Sequence, residues 1–112
     1  MTIFTKIINK EIPAQIVYED DKCLAFKDTN PQAPVHILVI PKKEIASMDT
    51  ATDADKEIIG HVMLKAAHIA REQGIAEDGY RLVINTNGQA GQTVFHIHVH
   101  IVGGRPLDWP PG

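Results

Sequence analysis

From Val94 to Val102 the chain reads Val-Phe-His-Ile-His-Val-His-Ile-Val, and three of its six histidines fall here on alternate positions. Successive side chains of an extended strand point to opposite faces. His96, His98 and His100 are therefore predicted to share one face, with Phe95, Ile97, Val99 and Ile101 on the other. The apolar row can enter a core. The imidazole row is costly beside one, because a polar group taken out of water must find a hydrogen-bond partner. That cost is the first sign of a chemical role.

Around this segment the chain divides into short pieces. Phe4, Ile7 and Ile8 stand at helical spacing behind a cap at Thr2, which predicts one or two helical turns ended by Ile12-Pro13. Residues 15–19 and 23–27 are apolar runs joined by Asp20-Asp21-Lys22, the pattern of an antiparallel hairpin. Two prolines make 28–34 a loop, and 35–40 is an apolar strand containing His36 and stopped by Pro41. Ile58, Ile59, Val62, Met63, Ala66, Ile69 and Ala70 recur at three and four, with Glu57, His61, Lys65, His68 and Glu72 on the opposite stripe. This is a long amphipathic helix, opened by a capping box of Thr52 and Asp55 and closed by Gly74. Residues 81–85 form a strand, 86–92 a glycine-rich turn and 93–102 the histidine strand. These two strands are too close for a crossover, so they pair antiparallel. The prediction is one α+β domain over residues 1–112: about five mainly antiparallel strands, one long helix on one sheet face, and a short N-terminal helix. The histidine face is expected to stay open.

Eleven Lys and Arg against fourteen Asp and Glu leave no basic stripe, which argues against a nucleic-acid polymer as partner. One nucleotide held by backbone amides and hydroxyls remains compatible with that balance. Cys23 is the only cysteine; it allows no internal disulfide and reads as a core residue in a reducing compartment. The N-terminus does not read as a signal peptide, and no apolar run approaches the length that spans a bilayer. A cytoplasmic protein without membrane partners is the expectation.

Three chemistries compete for the histidine row. On a strand, His96 and His100 are about 13 Å apart between Cα atoms, whereas zinc holds nitrogens at about 2.0–2.1 Å. One ion cannot take both ends of the row. Two histidines could bind one with His36 or Cys23 brought in by folding, but no cysteine or carboxylate cluster completes the set in the sequence, so neither metal nor cofactor is expected. Satisfied core histidines are the bland alternative, and three alternating ones are too many for it. The remaining reading is nucleophilic or acid–base work on phosphate. A neutral imidazole attacks through one ring nitrogen only if the other carries the proton, and His98, with a neighbour on each side, is the nucleophile candidate. His61 and His68 lie on the polar helix stripe and read as solvated. The turn before the row, with Gly88 and Gly91, can present N–H groups to an anion. Asn85 and Thr93 flank it, and Asp28 can accept two hydroxyl protons from a ribose.

The run His96-Ile97-His98-Val99-His100-Ile101-Val102 resembles the signature of the histidine triad superfamily, His-φ-His-φ-His-φ-φ with φ apolar. Lys10-Glu11-Ile12-Pro13, Pro31-Gln32-Ala33-Pro34, Ile40-Pro41-Lys42-Lys43, Gly103-Gly104-Arg105 and the ending Trp109-Pro110-Pro111-Gly112 are similar to its Hint branch, the histidine triad nucleotide-binding proteins. The resemblance implies a homodimer whose two sheets join into one. It also implies a purine nucleoside monophosphate ligand, and hydrolysis of adenosine phosphoramidates and adenylated lysine. On its terms His98 becomes adenylylated, His100 contacts the phosphate, His96 and His36 order the site, and Thr93 hydrogen-bonds the leaving group. Asp28 matches the ribose-binding carboxylate. Asn85, Gly91, Gln92, Thr93 and Val94 match the surroundings of the phosphate, and Phe4, Ile7, Ile12, Phe26 and Thr29 match the base and ribose pocket. The chain departs from its relatives at Thr29, where many have Ile, at Thr93, where many have Ser, and at Phe95, where Tyr is frequent. Two further readings stay open: a dinucleoside polyphosphate hydrolase of the Fhit kind with the same nucleophile, and a nucleotide-binding or interaction protein with minor catalysis.

Overall fold

The computed structural model describes residues 1–112. Helix α1 (Ile3–Ile8) begins where Thr2 and Thr5 each accept the other's backbone N–H on the side-chain hydroxyl, at 3.4 and 3.2 Å. It ends sooner than Ile12-Pro13. Lys10 adopts φ 62°, its N–H donates to the Ile7 carbonyl at 3.1 Å, and the Glu11 N–H donates to Lys6 at 2.9 Å. That pair of bonds is a Schellman closure, with a lysine where glycine is usual.

The predicted hairpin is β1 (Ile16–Glu19) and β2 (Cys23–Lys27); β3 is Val35–Pro41. Helix α2 (Lys56–Glu72) follows a 3₁₀ turn at Asp53–Asp55, where Asp55 accepts the Thr52 N–H at 3.0 Å. Its far end is also a Schellman closure. Gly74 takes φ 77°, its N–H donates to Arg71, and the Ile75 N–H donates to Ala70, which folds Ile75 onto the core. Strands β4 (Tyr80–Val83) and β5 (Val99–Gly103) complete one antiparallel sheet in the order β1-β2-β3-β5-β4.

Alternation along the strands sorts side chains to two faces. Cys23, Ala25, Ile37, Val39, Val99 and Ile101 meet Val62, Ala66, Ile69 and Ala70 of α2. Leu24, Phe26, Leu38 and Ile40 point the other way and pack on Phe4 and Ile7 of α1. The histidine face, expected to stay open, is therefore covered in part by α1 and open only where His98 and His100 meet a cleft. The reason is energetic: Leu24 and Ile40 are fully buried there, and leaving them in water would forgo about 1.5–3 kcal/mol each. A second correction concerns the histidine strand, predicted over 93–102. Regular pairing starts only at Val99, so of the three histidines His100 alone lies in a strand. Phe95 is exposed instead of joining the apolar row. No helix is long and apolar enough to cross a membrane.

Candidate active site

The early end of β5 leaves β3 with two residues beyond their last shared pair, Val39 with Val99. The Pro41 carbonyl, unclaimed on that side, accepts a hydrogen bond from His96 Nε2 at 2.7 Å. The His96 carbonyl is likewise outside the ladder and accepts from His98 Nδ1 at 2.8 Å. A carbonyl only accepts, so each bond fixes a tautomer. His98 carries its proton on Nδ1 and offers the Nε2 lone pair. His96 is completely buried, and burial lowers its pKa against the opposing pull of the Pro41 carbonyl. The Phe4 ring stands edge-on to both imidazoles, 5.0 Å from His98 and 6.0 Å from His96 between centroids. It covers His96 and flanks His98 where that ring meets the cleft.

A second chain of bonds fixes His100. The Gln32 N–H donates to His36 Nδ1 at 3.0 Å, so the His36 proton sits on Nε2. That nitrogen faces His100 Nδ1 at 2.9 Å and the Asp28 carboxylate at 3.4 Å. His100 Nδ1 therefore accepts, and its own proton is on Nε2, a buried atom with no partner in the chain. Burial, then the neighbouring His98 and His36, pull the His100 pKa down to about 4. The ring is neutral at pH 7 and aims an unused donor beside His98, whose centroid is 5.1 Å away. Such an orphan N–H costs about 1–3 kcal/mol, a cost relieved when a ligand oxygen accepts from it.

His98 and His100 open into a cleft of about 540 Å³ whose walls include Phe4, Ile7, Ile12, Phe26, Asp28, Thr29, Thr93 and Val94. The Thr93 and Val94 N–H groups at its edge have no backbone acceptor within the chain. Asp28 uses one oxygen to accept the Asn30 N–H at 2.8 Å. His36 and His96 stand behind the lining, each bonded as described. Asn85 and Gly91 are not part of the wall. Gln92 is turned inward: Oε1 accepts the Asn87 N–H at 2.8 Å, and Nε2 donates to the Ala46 and Val94 carbonyls at 2.8 and 3.1 Å. Its place is that of a brace behind the glycine turn.

Sequence reasoning missed Ile3, Pro13, Ala14, Gln15, Lys27 and Leu38 in the wall. Leu38 follows His36 by two positions, so the strand period already placed both on one face. Ile3 precedes Ile7 by one helical turn. It also misjudged His61, which does not simply face solvent. Its Nε2 meets Asp20 at 2.7 Å, joining α2 to the β1–β2 turn. Burial works against the Asp20 charge, yet the Lys22 and Cys23 amides, His61 and Tyr18 together hold its pKa well below the carboxylate range. His68 pairs with Glu72 one turn along α2. Cys23 is fully buried, as expected; burial and then the Asp20 charge push its thiol up to about 12.

A family model described as HIT domain matches residues 9–107. An uncharacterized HIT-like protein of Synechocystis is 61% identical over 111 residues, which are 99% of this chain and 96% of that one. The crystal structure of a HIT family hydrolase from Legionella pneumophila superposes with a TM-score of 0.98 at 48% identity, over 100% of both chains. A histidine triad nucleotide-binding protein from Candida albicans gives 0.76 at 30% identity, over 98% of this chain and 83% of that one.

Proposed function

We propose that this chain, which belongs to the HIT domain family, hydrolyses the P–N bond of purine nucleoside phosphoramidates through a nucleotidyl-His98 intermediate. The observation that carries the reading is the His98 Nδ1 bond to the His96 carbonyl at 2.8 Å. It leaves Nε2 unprotonated in a ring positioned by its own backbone, which is what an attacking imidazole requires. The hydrolase from Legionella and the nucleotide-binding protein from Candida support hydrolysis and a nucleotide ligand respectively.

In this scheme the apolar end of the cleft, Phe4, Ile7, Ile12 and Phe26 with Thr29, takes the base. Asp28 accepts the ribose hydroxyls, and the phosphate lies against Thr93, Val94 and His100, with Asn85, Gly91 and Gln92 supporting the turn. His98 Nε2 forms a bond to phosphorus as the P–N bond breaks. The departing amine takes a proton from solvent through a hydrogen-bonded neighbour, a role we give to Thr93 because it lines the cleft. His100 Nε2–H donates to a non-bridging oxygen as charge builds there. Water then cleaves the phosphohistidine bond, releasing the monophosphate and restoring the neutral ring. Fixed tautomers mean that little reorganisation is needed at the moment of reaction.

The protein as a cytoplasmic homodimer completes the proposal. Support for the dimer comes from Trp109 and Leu64, exposed by 82% and 73%, and from the edge position of β4. The deciding experiment is His98→Ala with an adenosine phosphoramidate. Turnover and the trapped adenylyl adduct should vanish while nucleotide binding survives. Full turnover in that variant would refute the assignment. Faster hydrolysis of diadenosine polyphosphates than of phosphoramidates would favour the Fhit-like activity, and binding without turnover a binding module.

A further inference from the structure

On the sheet face opposite the cleft, three side chains of metal-ligating type converge. Asp20 in the β1–β2 turn, Cys23 at the start of β2 and His61 on α2 each offer a ligand atom, and these lie within 4.8 Å of one another. We propose that this cluster is a zinc-type cation site that staples the β1–β2 hairpin to α2.

The donor set is the first argument. Thiolate, imidazole and carboxylate are the three ligand types zinc takes, and three of them leave one position of a tetrahedron free. The second is orientation. Asp20 Oδ1 accepts the N–H groups of Lys22 and Cys23, both at 2.8 Å, and Oδ2 accepts the Tyr18 hydroxyl at 2.8 Å. Supports of this kind aim a ligating carboxylate. The third is access, since the His61 and Asp20 side chains are 24% and 20% exposed and put one edge of the cluster at solvent, although the thiol itself is buried. Ligands of one tetrahedral zinc stand about 3.3 Å apart, given bonds of 2.0–2.1 Å. His61 Nε2 is 2.7 Å from Asp20, so its ring must withdraw by about 0.6 Å to reach that spacing. On binding, the Cys23 thiol loses its proton to solvent, and the imidazole passes its proton from Nε2 to Nδ1. One proton is released per ion, and no other group changes charge.

A competing trio, Asp28, His36 and His100, also brings its ligand atoms within 4.8 Å of one another, but it has no sulfur. Cobalt(II) separates the two. The whole protein, freed of metal, is titrated with Co(II) and then with Zn(II). One equivalent of cobalt should give tetrahedral visible bands with a thiolate-to-cobalt charge-transfer band, and zinc should abolish both. Cys23→Ser should lose the charge-transfer band. His61→Gln keeps a donor for Asp20 at a partly exposed site and serves if the buried variant fails to fold; it should weaken binding about 100-fold or more. His36→Ala should leave the cobalt spectrum unchanged. No bound cobalt, cobalt without the charge-transfer band, or binding kept in His61→Gln and lost in His36→Ala would each overturn the proposal.

Discussion

Gln92→Ala separates a brace from a ligand contact. The side chain is 4% exposed and makes three hydrogen bonds, one accepted from Asn87 and two donated to Ala46 and Val94. Each is worth about 1 kcal/mol net. Asn87 is exposed, so water replaces its lost partner, whereas Ala46 and Val94 are half-buried and less easily served. The expected loss of stability is about 2–3 kcal/mol, which in a domain of this size lowers Tm by roughly 8–15 °C. Gln92→Glu sharpens the test. It can still accept from Asn87, but it sets a carboxylate against two carbonyl oxygens, so at pH 7 it should be less stable than Gln92→Ala. Lowering the pH restores a donor to that carboxyl and should narrow the gap. Calorimetry gives the stability, and steady-state rates on a phosphoramidate give the rest: kcat should fall as Val94 and Thr93 loosen. An unchanged Tm with a raised KM would refute the brace and return Gln92 to direct nucleotide contact.

Acid should destabilise the fold through His100. Its folded pKa, near 4, lies below that of an unfolded histidine, so the unfolded chain binds more protons between about pH 6.5 and 4, and stability falls as pH drops through that window. Discounted for the solvent that still reaches the ring, the contribution is about 2 kcal/mol. Urea unfolding at pH 7 and 4.5 should show a smaller loss in His100→Gln, and an equal loss would count against a neutral, buried His100. Gly103→Ala tests how tightly β5 is held. A Cβ there meets Ile75 Cδ1 at 2.7 Å and Tyr80 Cβ at 3.2 Å, so about 1–3 kcal/mol should be lost to overpacking. A Tm equal to that of the parent would mean that the β5 edge yields freely.

The elements with the strongest local signals were legible. The α2 stripe, its Gly74 closure and the 23–27 strand match the structure because periodicity and capping are local properties. The partial cover over the histidine face was also written in the sequence. Cys23-Leu24-Ala25-Phe26 and Ile37-Leu38-Val39-Ile40 are continuous apolar runs, the mark of strands buried on both faces rather than one. The end of β5 at Val99 was not legible, since residues 96–98 alternate as a strand does. The Ile97 N–H instead donates to the Ile45 carbonyl at 2.8 Å, a tertiary partner that no local pattern announces. The Asp20–His61 contact was hidden for the same reason, with 41 positions between its partners.

That irregularity is what connects the fold to the chemistry. Had pairing continued to His96, the ladder would have competed for the carbonyls of Pro41 and His96, whose present partners are two imidazoles. His98 would then have lost the acceptor that holds its proton on Nδ1, and its Nε2 would have been protonated in part of the molecules. Ending the strand early exchanges ladder bonds for side-chain bonds, so the Pro41 and His96 carbonyls stay paired, while the second ring nitrogen of His96 is left buried without a partner. His100, by contrast, must stay in β5, where pairing opposite Leu38 keeps it beside His36 two residues earlier on the same face of β3. The alternating row therefore works as two devices, a strand residue presenting a donor and an off-strand residue presenting a lone pair. Restoring regular pairing through residues 96–98 should abolish the nucleophilic role proposed for His98 even with all three histidines in place, read as loss of the trapped adenylyl adduct.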